Sequence, residues 1–245
     1  MKKPPSRKPS AKKPFGKRPD AGRPHHGRPV DTRRIELNIV FEDQDILVIA
    51  KPAGVLTSTT PREKRPTLLA AVESHIARYS PRARLGLIHR LDRDAAGLLV
   101  FSKCHEAYHL LKNQFFHHTV TRLYTAVVEG TVKPAKGTIR SNLEERADGT
   151  VYSTKRPHSG QPSRTDYEVV SHANGRSVLQ VKLHTGRKHQ VRVHLSERGT
   201  PIVGDPMYGK PEPAGLHLAA TSLAFDHPRT GKRVEFHLPP PAWLS

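Results

Sequence analysis

From residue 35 onward the apolar side chains come in short runs rich in β-branched residues, at 46–50, 98–101, 123–128, 178–183 and 234–238, separated by Gly, Pro and Asp. Runs of this length suit strands, and are too short for buried helices. Helical spacing is confined to 67–76 and to Ala107, Leu110, Leu111 and Phe115, the second opened by Ser102 as a cap ahead of Glu106. Strands outnumber helices and do not alternate with them regularly. The expected class is therefore α+β, with a mixed, largely antiparallel sheet and flanking helices. No run approaches the roughly 20 apolar residues that span a bilayer, and the N-terminus lacks the apolar stretch of a secretory signal. A soluble, cytoplasmic protein is expected, and a monomer, since no helix shows an obvious exposed apolar face.

Residues 1–34 are different in kind. A basic-proline pair recurs every five residues, at Lys3-Pro4, Lys8-Pro9, Lys13-Pro14, Arg18-Pro19, Arg23-Pro24 and Arg28-Pro29, and large apolar side chains are nearly absent. Regular prolines block helix and sheet ladders, and too little surface can be buried to offset the entropy of ordering. The expected organisation is a disordered tail over 1–34 and one folded catalytic domain over 35–245.

The chain has 41 Lys and Arg against 22 Asp and Glu, a formal net charge of +19. The tail holds 12 of the basic residues and two of the acidic ones, so the folded part is itself basic. Such a surplus points to a polyanionic partner, with nucleic acid foremost. One cysteine, Cys104, excludes an intramolecular disulfide framework and a multi-cysteine zinc site.

The chemistry concentrates in His89-Arg90-Leu91-Asp92-Arg93-Asp94-Ala95-Ala96-Gly97, directly before the apolar run 98–101. A carboxylate flanked by guanidinium groups is ionised at neutral pH and can act as a nucleophile without a separate base. An Arg-Leu-Asp triplet alone is more often a turn or an ion pair. The surrounding sequence is more specific: His89-Arg90-Leu91-Asp92, then Gly97-Leu98-Leu99-Val100-Phe101-Ser102-Lys103, resembles the signature of the RluA-type RNA pseudouridine synthases. Four further motifs follow the family's order. They are the entry strand 45–50 with Lys51-Pro52-Ala53-Gly54, the strand Tyr124-Thr125-Ala126-Val127-Val128-Glu129-Gly130, the segment Gly186-Arg187-Lys188-His189-Gln190-Val191-Arg192, and Pro201-Ile202-Val203-Gly204-Asp205 leading to Leu216-His217-Leu218. The resemblance covers essentially all of 35–245.

What the resemblance implies is the isomerisation of uridine to pseudouridine in ribosomal or transfer RNA, with no metal or organic cofactor. It makes Asp92 the nucleophile, Tyr124 the residue that stacks on the uracil and is the candidate to remove the C5 proton, and Arg192 the partner of Asp92. Arg90 takes the place of the side chain that fills the stack when the base is flipped out. Arg187 and Lys188 fall to RNA binding, and Leu218 to the apolar side of the base pocket. Three positions depart from the family pattern: Ala95-Ala96 stands for Thr-Ser, Lys188 for Thr, and Ala219 for His. No S4-type RNA-binding domain of the kind some relatives carry is legible here.

Three other readings compete. His184, His189 and His194 recur at intervals of five, which spreads the rings around a helix instead of gathering them on a metal. Asp92 with Asp94 would be a glycosidase pair, but nothing else in the chain supports sugar binding. A non-catalytic RNA-binding or RNA-folding protein on the same scaffold is the rival of a different class. It places no demand on a buried Asp, Tyr and Arg set.

Overall fold

Each of the five apolar runs seeds a strand in the computed structural model, which describes residues 35–59 and 65–244. In chain order the described residues form β1 (Asn38–Glu42), β2 (Ile46–Lys51), α1 (Leu68–Tyr79), β3 (Gly86–Leu87), β4 (Ala96–Ser102), α2 (His105–Phe116), β5 (Thr121–Glu129) and β6 (Lys136–Glu145). There follow β7 (Val151–Thr154), β8 (Gln161–Ala173), β9 (Arg176–Leu183), α3 (Gln190–Ser196), β10 (Leu218–Asp226) and β11 (Arg233–His237). The expected disorder of 1–34 concerns residues outside those described.

The strands join in one sheet of order β1-β2-β4-β10-β5-β9-β8-β6-β7, with β3 added on β4 and β11 on β10. Among these pairings only β4 with β10 is parallel, through Ala96 opposite Ala219 and Gly97 opposite Ala220. The sheet is thus mixed and largely antiparallel, as the sequence led us to expect. The parallel pair sets the beginnings of β4 and β10 side by side, which brings the loops that precede them to the same place.

β2 and β4 are buried on both faces, and for that reason read as unbroken apolar runs. Leu47, Ile49, Leu99 and Phe101 join the main core, where α1 contributes Leu68, Val72 and Ile76. Ile46, Val48, Leu98 and Val100 point the other way, into a second core with Leu111 of α2 and Phe225 of β10.

The two helices occur, with corrections to their ends. Thr67 caps α1, its hydroxyl accepting from the Ala70 N–H at 3.2 Å. Cys104, not Ser102, caps α2, its sulfur accepting from the Ala107 N–H at 3.5 Å. Ser102 is unavailable because β4 continues through it, paired with Ile46 on one side and Gly86 on the other. Leu110 is exposed, so the buried face of α2 is Ala107 and Leu111. No helix among the described residues is long and apolar enough to cross a membrane.

Candidate active site

The loop between β3 and β4 is anchored on both sides of Asp92. Ahead of it, Leu91 is buried, and the Thr57 hydroxyl donates to its carbonyl at 2.8 Å and accepts from its N–H at 3.2 Å. Behind it, the carbonyl of Arg93 accepts from the Lys51 ammonium at 2.9 Å. That ammonium is itself buried and also donates to the carbonyls of Pro52 and Val55, at 2.9 and 2.7 Å. Burial pushes Lys51 down to about 8, against the opposing pull of Asp94 and Asp92. Asp94 is turned to Arg93, at 2.8 Å, so the two carboxylates of the loop have different partners and do not act as a pair. Ala95 fills a place in the main core, where a methyl group suffices.

Arg192 approaches Asp92 from α3. Its Nη1 lies 3.6 Å from Asp92 Oδ2, while Nε and Nη2 donate to the two carboxylate oxygens of Asp205, each at 2.8 Å. The strongest partner of Arg192 is thus Asp205, and the Asp92 contact is the longer one. Asp205 is fully buried. Burial alone would raise its carboxyl, but the hydrogen bonds and charge of Arg192, with the N–H groups of Met207 and Tyr208, outweigh it and hold it low. The helix is fastened in turn by Gln190, which donates to Arg164 O at 3.0 Å and Thr165 Oγ1 at 2.9 Å. His194 completes the anchorage, within 3.0 Å of the hydroxyls of Ser141 and Ser163 and 2.9 Å of that of Thr165.

These elements enclose a cleft of about 810 Å³. Asp92, Tyr124, Leu218, Arg90, Arg187 and Lys188 all line it, while Arg192 stands behind Asp92. Tyr124 is buried in the middle of β5. Its phenol is pushed up to about 12, first by burial, with Arg122 opposing and Asp92 adding to the shift, so it is neutral at pH 7. Arg90 is exposed and makes no hydrogen bond with another described residue. Lys188 is held by Glu145 at 2.6 Å, and Arg187 donates to Pro162 O at 3.1 Å. The sequence motifs include Lys51 and Asp205 without showing a role for either, Thr57 and Arg122 carry no signal of their own, and His194 stands out only as a member of the histidine series. A lysine in a turn and an aspartate after a glycine do carry signals, but their partners lie over 10 residues away in sequence and meet them only in the fold.

His184, His189 and His194 do not form a ligand set: His184 bonds Asp166 at 2.6 Å, His189 bonds the Tyr208 hydroxyl at 2.8 Å, and His194 faces the three hydroxyls above. They also do not share a helix, because α3 begins only at Gln190. Among the described residues, ligand atoms of Asp43, Asp45 and His227 come within 4.8 Å of one another. Arg229 donates to both oxygens of Asp45, and His227 bonds Asp43 at 2.8 Å, so these ligand atoms already have partners within the chain.

The model of the RNA pseudouridylate synthase family matches residues 45–197, a stretch that includes Asp92, Tyr124 and Arg192. The chain belongs to the RluA-type RNA pseudouridine synthase family. It is 37% identical over 214 residues to the uncharacterized RNA pseudouridine synthase YlyB of Bacillus subtilis, a match covering 84% of this chain and 70% of that one. It is 36% identical over 234 residues to ribosomal large subunit pseudouridine synthase D of Pseudomonas aeruginosa, covering 86% and 71%. In structure this synthase superposes on human RNA pseudouridylate synthase domain containing 1 with a TM-score of 0.69, at 25% identity over 84% of each chain.

Proposed function

We propose that this synthase isomerises uridine to pseudouridine in ribosomal or transfer RNA, with Asp92 as nucleophile. The observation that carries the reading is a carboxylate set in a basic cleft, anchored through Leu91 and Arg93 and faced by Arg192. The Asp92 carboxylate adds to the target nucleoside, and the N-glycosidic bond breaks with its electron pair passing to the uracil. The base turns over, C5 bonds to the ribose carbon, the carboxylate is released, and the C5 proton leaves last. Arg192 holds the attacking carboxylate in orientation and offsets its charge.

Tyr124 provides a flat, buried face for the base, and Leu218 closes the apolar side. Because the phenol is neutral at pH 7, it takes the C5 proton in exchange for its own, which passes to the N1 of the uracil left bare by glycosidic cleavage. Arg90 takes the space of the flipped nucleotide, and Arg187 and Lys188 meet the strand at the cleft's rim. Ribosomal RNA is the favoured target, since a relative of this similarity bears a large-subunit name. We place the reaction in the cytosol, carried out by a monomer, with the basic residues of 1–34 adding affinity for phosphates.

The test is tritium release from total RNA containing 5-tritiated uridine, comparing wild type with Asp92→Ala. C5 loses its hydrogen only when the base is rejoined through that carbon. Release by wild type with loss of at least about 1,000-fold in the variant is the expected result. Tight RNA binding without release would favour the non-catalytic RNA-binding reading.

A further inference from the structure

We propose that Arg122 binds a phosphodiester of the substrate strand, beside the nucleotide whose base enters the cleft; this rests on the RNA-modifying reading above. Arg122 lies on β5 two residues before Tyr124, so both side chains project from the same face, roughly 6.6 Å apart along the strand. It lines the cleft and is only 9% exposed. Its Nε is buried with no hydrogen-bond partner, and it forms no ion pair with any described carboxylate.

Burying a guanidinium without a counter-charge is costly, and the expense is usually offset by a carboxylate, as Asp205 does for Arg192. Among the described residues no such group faces Arg122, and the substrate strand is the source of the offsetting charge. The surroundings are built for the guanidinium itself. The Phe115 ring centroid lies 5.5 Å from its central carbon, and the backbone at Gly186 passes so near that a Cβ there would sit 2.7 Å from Nη1. Neighbouring His118 is pushed down, first by burial and then by Arg122 and Arg187, which marks the local field as positive. RNA carries one anion per nucleotide, and the forked guanidinium matches a phosphate better than it matches a single neutral uracil carbonyl.

Fluorescence anisotropy of labelled decauridylate across a KCl series tests the assignment in the full chain. Arg122→Ala should weaken binding about tenfold and lower the slope of log affinity against log salt by about 0.7, the contribution of one phosphate on a single strand. Gly186→Ala should do the same in part, because the new methyl meets only the mobile end of Arg122 and leaves the backbone unstrained. If Arg122→Ala unfolds on melting, Gly186→Ala and Arg122→Lys decide, the lysine being expected to keep the slope and lose part of the affinity. Wild-type affinity in all three variants, or wild-type affinity and slope in Gly186→Ala with tritium release lost, would overturn the proposal and give Arg122 a role at Tyr124 instead. Failure of the isomerase reading would show separately, as absence of tritium release from the wild type.

Discussion

Two nitrogens of Arg192 face Asp205 and a third faces Asp92, so the position of the candidate nucleophile is set by a carboxylate that never meets substrate. Asp205→Asn removes the charge while keeping an acceptor. It leaves a buried guanidinium undercompensated, which should lower stability by about 3 kcal/mol in urea melts. It should also lower kcat for tritium release with little change in KM, because the guanidinium is then free to turn toward Asp92 and pair with it more closely. A fall in stability with kcat at the wild-type value would confine Asp205 to the fold. None of this could be read from Asp205 alone: a Gly-Asp pair is a common turn, and its partner is identified only by the geometry of α3.

At the level of elements, the junction of β4 and β10 is the most exacting. Gly97 has φ +119°, a conformation L side chains rarely adopt, and a Cβ there would fall 2.3 to 2.7 Å from the backbone of Ala220. Gly97→Ala should therefore push the two strands apart and lower the melting temperature by about 10 °C or more, with loss of tritium release. The strands legible in sequence were those buried on both faces, β2 and β4, together with β5, β9 and β11. β6 escaped because it alternates exposed and half-buried residues, with Lys, Thr, Arg and Asn on the exposed side, and β7 and β8 because several of their buried positions are polar, Thr154, Ser163 and Thr165 among them. The cap of α2 was misplaced by two residues because hydroxyls are the usual caps, and a strand that runs through Ser102 is a tertiary fact. Of the site, Asp92 and Tyr124 stood out through the motifs around them, whereas Lys51, Thr57 and Arg122 have roles that depend on what lies opposite.

Across the whole molecule, two imidazoles make the fold sensitive to acid. Burial pushes His194 down to about 4 and His89, stacked on Phe115, down to about 3, from an ordinary 6.5. Below pH 6.5 the unfolded chain takes up protons that the native state refuses, so stability is complete above about 6.5 and falls as the pH drops toward 4. For His194 alone this amounts to about 2–3 kcal/mol at pH 4.5, a drop of roughly 5–10 °C in melting temperature relative to pH 7. Calorimetry at the two pH values measures it, and His194→Gln should recover part of the difference. An unchanged midpoint would mean that the native state takes up these protons as readily as the unfolded chain does.

The insertion of β10 between β4 and β5 also governs when the enzyme can come into being. While the chain is being made, β1 to β4 and β5 to β9 can each assemble, but each half ends in an open edge until residue 226 has emerged. Asp92 and Tyr124 then stand on separate half-sheets, and neither has a cleft. A ribosome stalled before that point would hold a nascent chain with its basic residues in place but no completed cleft, its two bare edges open to other chains.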